Sequence, residues 1–197
     1  MSSNERPPKT LPVLSRHITT HNAAGQAIFS TALPSSMPVS PIPDGADFSL
    51  AYTSPSIPAS FTHDADIQSY ASYLAPGNAP GLVVSSGSVC RIVDMQPGAL
   101  SPMHRTVSLD YGVVLEGVVQ LELDSGEVRV MKRGDVAVQR GTNHAWRNVT
   151  PPVIGPDGEE VKQWARMLYV LIPAEKISVE GRELGEDLGE MGVRGST

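Results

Sequence analysis

The chain has 197 residues and a formal net charge of −6, because 15 Lys and Arg residues stand against 21 Asp and Glu residues. The basic residues are dispersed rather than gathered in a stripe, which excludes nucleic acid as the expected partner, since phosphates require clustered positive charge. Hydrophobic residues make up 40% of the chain but lie in short runs, none near the ~20 apolar residues of a membrane helix, so we expect no membrane partner.

The N-terminal part of the chain is irregular in composition. It begins with the polar stretch Met1-Ser-Ser-Asn-Glu-Arg-Pro-Pro, which lacks the apolar centre of a secretory signal, so we expect a cytoplasmic protein. Frequent prolines interrupt helices and strands in residues 1–80, and we predict an arm that packs on the rest of the protein or on a partner subunit. Within 16–29, the sequence Asn22-Ala-Ala-Gly25 predicts the turn of a short β-hairpin.

From residue 81 the sequence changes to short runs of Val, Ile and Leu separated by Gly, Pro and Asp, a pattern typical of an all-β barrel. We place this barrel at 81–173. Residues 118–123 alternate between apolar and polar, and a turn at 124–126 leads into 127–131, which predicts a hairpin. Residues 163–172 are apolar on both faces and predict a strand in the middle of a sheet.

The remaining residues, 174–197, form a tail in which acidic residues alternate with glycines. Glycine weakens a helix, so the tail is either a short helix around Leu184 to Met191 or a mobile end that covers a partner. The single cysteine, Cys90, lies in a strand-like apolar run and is interpreted as packing. The arm and the sheet edges it would cover predict a homodimer.

A first motif in the barrel resembles that of the cupin superfamily. Gly98, His104, Asp110 and Gly117 have the spacing of the glycine, His-x-His, glutamate and glycine of that pattern. Thr106 stands where the pattern has its second histidine, and Asp110 where it has glutamate. This variant is similar to small single-domain cupins of bacteria and filamentous fungi, some of which belong to natural-product gene clusters.

A second motif follows in the expected order. The stretch from Gly134 to Asn148 resembles the second cupin motif, in which a histidine, here His144, is followed by an asparagine. Arg140 replaces the usual proline. The resemblance covers about residues 16–173 and implies an all-β fold, the cupin barrel, also called a double-stranded β-helix or jelly roll.

If the first motif is extended, four polar residues share one face, because alternate side chains of a strand point to the same side. They are His104, Thr106, Ser108 and Asp110. Polar groups inside a barrel are costly unless they are hydrogen-bonded or ligated. His104, Asp110 and His144 would therefore bind a divalent metal ion (Zn, Mn, Ni or Fe) and leave open positions on it. Alternatively, Asp110 pairs with the imidazole of His104 and no metal binds. We expect no organic cofactor.

Several neighbours are candidates for contact with a substrate. Arg140 would hold a carboxylate or enolate oxygen with its fork of donors. Tyr111 would form an aromatic wall or supply a proton, unless it is an ordinary core residue. Thr106, Ser108 and Trp146 complete the predicted substrate pocket.

The sequence favours an enzyme that acts on a small oxygenated or carboxylated metabolite, with metal-assisted decarboxylation, dehydration, isomerisation or cyclisation as the reaction. Three alternatives stay open: a binding protein without catalysis, a metal-free isomerase in which Asp110 orients His104 as the base, and an Fe(II) dioxygenase. The barrel supports many reactions, so the fold does not select among them.

Overall fold

The computed structural model describes residues 6–197, in which strands predominate. No helix in this range is long and apolar enough to cross a membrane. A 3-10 turn (Thr62–Asp64) and the helix α1 (Ala65–Tyr73) lie between the fourth and fifth strands. The strands are β1 (Thr19–His21), β2 (Ala27–Phe29), β3 (Ser40–Pro41), β4 (Ala46–Ser54), β5 (Ser88–Met95), β6 (Ser108–Glu116), β7 (Val118–Leu123), β8 (Val128–Lys132), β9 (Val136–Arg140), β10 (His144–Asn148), β11 (Val153–Ile154), β12 (Glu160–Val161), β13 (Ala165–Pro173), β14 (Ile177–Val179) and β15 (Arg182–Leu184).

Two sheets build the barrel. The larger has six strands in the order β3-β4-β5-β13-β6-β9, and the smaller has three in the order β10-β7-β8. Apolar side chains from both sheets, among them Val93, Met167 and Trp146, pack in one core cluster. The all-β fold predicted from the sequence is therefore confirmed.

The chain passes from the larger to the smaller sheet at a single glycine. Gly117 separates β6 from β7, and its φ of 82° lies in the left-handed region that favours glycine. A Cβ at this position would lie 2.5 Å from the Oγ1 of Thr150. This glycine of the first motif therefore serves the geometry of the barrel corner.

Three local predictions are confirmed. Strands β1 and β2 pair in antiparallel fashion around the turn at 22–25, and β7 pairs with β8 around the turn at 124–126. Strand β13 lies between β5 and β6, as its apolar pattern on both faces predicts.

The sheet begins earlier in the chain than the predicted start at residue 81. Strand β4 pairs along its length with β5, and β3 pairs with β4, so residues of the predicted arm supply two strands of the six-stranded sheet. Prolines in the short segments around these strands made this part of the sequence look irregular, so the two strands were not predicted. Residues 9–14 of this part of the chain lie against Ile92, Asp94 and Arg166 on the outer face of the sheet, and Tyr73 of α1 packs against the cluster that contains Leu82 and Leu171.

The tail folds back on the barrel and contains no helix in residues 174–197. Strands β14 and β15 form a hairpin, because Glu180 and Gly181 adopt φ values of 50° and 79° that end the first strand. Met191 is buried, and Thr197 donates its backbone N–H to Val83. The helix considered around Leu184 to Met191 is therefore wrong, since the glycines form turns instead.

A buried ion pair joins β5 and β13 on the outer face of the larger sheet. Arg166 donates from Nε and Nη2 to the two carboxylate oxygens of Asp94, at 2.5 and 2.8 Å. The N-terminal segment covers this pair, with Lys9 Nζ 2.6 Å from Asp94 and the Pro12 carbonyl accepting from Arg166 Nη1 at 2.8 Å. The segment thus binds to the sheet through charge as well as packing.

Substitution of Arg166 by Met should lower the free energy of unfolding by about 3 kcal/mol, because it leaves the buried carboxylate of Asp94 with Lys9 alone. Chemical denaturation measures this. Arg147 pairs with Glu122 at a more exposed site, so Arg147→Met should cost less than about 1 kcal/mol. Equal losses in the two variants would show that burial does not set the strength of the Asp94 pair.

Candidate functional site

Two histidines lie side by side because their backbones pair directly. His104 and His144 exchange backbone N–H to carbonyl hydrogen bonds of 2.9 Å in both directions, which joins the segment before β6 to the start of β10. Residues paired in this way place their side chains on the same side. The two imidazole rings are 4.3 Å apart between centroids.

Backbone carbonyls determine which ring nitrogen carries the proton in each histidine. The Nδ1 of His104 lies 2.9 Å from the carbonyl of Pro102, and the Nδ1 of His144 lies 2.9 Å from the carbonyl of Thr142. Because a carbonyl only accepts, each Nδ1 donates, and the lone pair of the neutral ring is on Nε2. No described residue makes a hydrogen bond with either Nε2.

Burial keeps both imidazoles neutral. Desolvation lowers the pKa of His104, and it lowers the pKa of His144 to about 4, with the neighbouring His104 as a second cause. At neutral pH, the site therefore presents two uncharged Nε2 lone pairs.

Asp110 belongs to a separate hydrogen-bonded ring. Its Oδ2 accepts from Thr106 Oγ1 at 3.2 Å, its Oδ1 lies 2.5 Å from Ser108 Oγ, and the two hydroxyl oxygens lie 2.8 Å apart. Two hydroxyl protons satisfy only two of these three contacts. Ser108 donates to Oδ1 and Thr106 donates to Oδ2, so the carboxyl group of Asp110 accepts from both hydroxyl groups.

The pKa of Asp110 agrees with this ring. Desolvation raises it to about 6, against the lowering effect of the hydrogen bonds from Ser108 and Thr106. No hydrogen bond joins Asp110 to His104, whose orientation comes from the Pro102 carbonyl instead. The predicted His–Asp pair is therefore absent from the described residues.

The histidines and the Asp110 ring face one cavity between the two sheets, with a volume of about 70 Å³. Its surface is mainly apolar, and Trp146 packs edge-on against His144, with ring centroids 5.6 Å apart. The lining comes from both sheets, the first-motif segment and the tail. It comprises Asp44, Ala46, Phe48, Leu82, Arg91, Val93, Met95, Ala99, Ser101, His104, Thr106, Asp110, His144, Trp146, Tyr169, Leu171 and Met191.

The structure therefore brings together most of the predicted site residues in one place. His104, Thr106, Asp110, His144 and Trp146 all line the cavity. Ser108 is fully buried behind Asp110 and reaches the site only through its hydrogen bonds.

Two predicted substrate residues lie elsewhere. Tyr111 is 40% exposed, because it follows Asp110 on β6 and so points to the opposite face. Arg140 is exposed and lines a separate surface pocket with Ile177 of β14. Neither side chain lines the cavity, so we withdraw both from the candidate substrate contacts.

Two cavity residues escaped the sequence analysis. Arg91 shares the face of β5 that carries Val93 and Met95, and Tyr169 lies on β13. The sequence could have placed Arg91 in the cavity, because it alternates in step with Val93 and Met95 and so shares their face of the strand. The pKa of Tyr169 is raised well above its usual 10.0, first by desolvation and then by Asp110, so its hydroxyl stays protonated.

The donor set suits a divalent metal ion only in part. Neutral imidazoles whose other nitrogen donates to a carbonyl are good metal ligands, so His104 and His144 fit. Within residues 6–197, however, no three His, Cys, Asp or Glu side chains are grouped to hold a metal ion. The hydroxyls of Thr106 and Ser108 engage the carboxyl group of Asp110, and the predicted three-ligand set is not assembled.

Comparisons with known proteins find several similar chains. A family model described as Cupin domain matches residues 91–153. The chain is 45% identical to Oryzines biosynthesis cluster protein J of Aspergillus oryzae, over 94% of this chain and 97% of the relative. It is 38% identical to the Cupin-domain-containing oxidoreductase fogC of Aspergillus ruber, over 89% of this chain and 80% of that one. The Schizosaccharomyces pombe Cnp3 cupin domain matches at 13% identity and a TM-score of 0.45, over 80% of this chain and 88% of that structure.

Substitution of Asp110 by Asn should stabilise the protein at pH 8 by about 2 kcal/mol and have little effect near pH 4. The folded-state pKa of Asp110, about 6, lies above the ordinary 3.8, so its stabilising contribution is present at low pH and is lost as pH rises through 6. Asparagine keeps the ring satisfied at all pH values, since its amide both donates and accepts.

Denaturant unfolding at the two pH values measures this difference. Glu175 is exposed, and Glu175→Gln serves as the control, with a change below about 0.5 kcal/mol at either pH. A loss of stability in Asp110→Asn at pH 8 would show that the site requires an ionised carboxylate.

Proposed function

The chain belongs to the cupin family, and from that premise we propose that it is an enzyme of natural-product biosynthesis that transfers protons on a small oxygenated or carboxylated metabolite. The name of the Aspergillus oryzae relative, a biosynthesis cluster protein, supports the metabolic setting. The fold leaves the reaction open, so the proposal rests on the site.

One observation carries the proposal: two neutral imidazoles present their Nε2 atoms to an apolar cavity with no protein partner. A substrate held there would meet a base that is already deprotonated at neutral pH. Decarboxylation, dehydration, isomerisation and cyclisation of an oxygenated acid all require a proton to leave or reach a carbon or oxygen atom.

The two histidines would act as a pair. A proton on one ring raises the cost of a second proton on the other, as the effect of His104 on the pKa of His144 indicates. The pair would therefore carry one proton at a time, taken from one atom of the substrate and returned to another. The carbonyls of Pro102 and Thr142 keep both Nε2 atoms directed away from the backbone.

A metal-dependent oxidoreductase is the second candidate. The relative of Aspergillus ruber is named an oxidoreductase, and the two Nε2 atoms are suitable ligands. A bound Zn, Mn, Ni or Fe ion would be held by His104 and His144 and would supply Lewis acidity or, for Fe, electron transfer. A binding protein without catalysis would use the same cavity. The predicted homodimer stays a prediction.

Replacement of either histidine by glutamine should lower turnover by at least about 100-fold, because it removes the base and leaves the cavity filled. Deletion of the encoding gene identifies the substrate as the metabolite that accumulates. Purified wild-type protein should then convert this metabolite in D₂O and place deuterium in the product. His21 is exposed on β1, and His21→Gln should retain full activity. Full turnover by both site variants would overturn the role of the histidines as bases, whereas no conversion by the wild-type protein would leave only the binding role.

The two candidates separate on metal content. Proton transfer by the imidazoles themselves predicts well under one equivalent of metal in protein purified without chelators, since two ligands hold a divalent ion weakly. Inductively coupled plasma mass spectrometry measures Zn, Mn, Ni and Fe together. A full equivalent that is lost in His144→Gln and retained in Asp110→Asn would establish the two-histidine metal site and overturn metal-free proton transfer.

A further inference from the structure

Arg91 lies in the wall of the cavity at the centre of the larger sheet. It is on β5, with Val93 and Met95 on the same face, and its side chain is only 6% exposed. Its guanidinium carbon lies 4.9 Å from the ring centroid of Phe48. A formal positive charge is therefore buried among apolar side chains.

The guanidinium has few protein partners. Within residues 6–197 it forms one hydrogen bond, from Nη2 to the carbonyl of Gly81 at 3.0 Å, which uses one of the donors that a guanidinium offers. No carboxylate of residues 6–197 lies within the 4.0 Å of an ion pair with Arg91. By contrast, Arg166, equally buried on the neighbouring strand, has both oxygens of Asp94.

The acidic groups of the cavity are engaged elsewhere. Asp44 accepts a hydrogen bond from the backbone N–H of Ala46, and Asp110 is held by the hydroxyls of Thr106 and Ser108. Neither forms an ion pair with Arg91. Among residues 6–197, Arg91 is therefore a buried cation of the cavity wall with no carboxylate in ion-pair contact.

An isolated buried charge is costly, and a neutral side chain would bind one carbonyl and cover Phe48 equally well. Desolvation lowers the pKa of Arg91 to about 10, so the group is still protonated at neutral pH. The charge destabilises the fold by itself, which is the pattern expected of a group that serves function rather than stability.

We propose that Arg91 is a substrate-positioning residue that binds the carboxylate of an anionic substrate in the barrel cavity. A guanidinium matches a planar carboxylate with two parallel N–H donors. The surrounding walls, with Phe48, Leu82 and Leu171, suit an apolar body, so the substrate class is a small aromatic or alkyl carboxylic acid. This inference rests on the proposed function, because the acid would occupy the cavity that His104 and His144 face.

Isothermal titration calorimetry with benzoate, and with benzamide as its uncharged analogue, tests the assignment. Arg91→Met should weaken benzoate binding at least about 10-fold and leave benzamide binding unchanged. Arg91→Lys keeps the charge without the planar fork and should recover part of the affinity. Arg91 also borders a second groove, which is lined by Tyr73, Pro80 and the exposed Arg194 among others. Arg194→Met is the matched control, with benzoate affinity equal to that of the wild type.

Thermal unfolding separates positioning from a structural role. Arg91→Met should unfold at the same temperature as the wild type or above it, because the variant removes an unpaired buried charge. A marked fall in the unfolding temperature would assign Arg91 to the fold and overturn the proposal. Equal benzoate affinity in Arg91→Met and wild type, or no binding of benzoate to the wild type, would also overturn it.

The failure of this inference and the failure of the proposed reaction give different results. If the histidine variants lose turnover while Arg91→Met binds benzoate normally, only the carboxylate site fails. If Arg91→Met loses benzoate binding while the histidine variants keep full turnover, only the proton-transfer function fails.

Discussion

The ionisable groups that face the interior of the barrel are largely removed from water, and the properties of the site follow from this desolvation. Desolvation lowers the pKa values of the two histidines, raises that of Asp110 to about 6 and lowers that of Arg91 to about 10. The imidazoles are therefore neutral near physiological pH, the carboxyl group of Asp110 keeps its proton to a higher pH than an ordinary aspartate, and the guanidinium remains charged. The cavity therefore combines neutral bases with one cation.

On the outer face of the same sheet, the buried charges form ion pairs. Asp94 and Arg166 are as buried as Arg91, yet they pair in bidentate fashion and are covered by Lys9 and the N-terminal segment. A buried charge is thus tolerated where the chain supplies a group of opposite charge. The difference between the two faces of β5 supports the proposal that the inner face binds a ligand.

The arrangement of the histidines also changes the expected role of the acid. Backbone carbonyls orient both rings, so Asp110 is not required to select a tautomer, and its hydroxyl neighbours hold it apart from the imidazoles. The cavity consequently offers two ligands or two bases rather than a three-ligand metal site. Proton transfer on an acid held by Arg91 uses all of these features together.

Much of this protein could be predicted from its sequence, because strand period and motif spacing are local properties. The alternation of residues 118–123, the apolar run of 163–172 and the two motifs predicted the all-β barrel and the approach of His104 to His144. The same parity rule placed Thr106 and Asp110 on the inner face and, applied one residue further, would have directed Tyr111 outward. The partner of each polar group was decided only by the tertiary structure: Pro102 rather than Asp110 for His104, Asp94 for Arg166, and for Arg91 the carbonyl of Gly81 with no carboxylate of residues 6–197. Sequence patterns specify which face a side chain occupies, but a hydrogen bond depends on distances between segments far apart in the chain, which only the packed barrel determines.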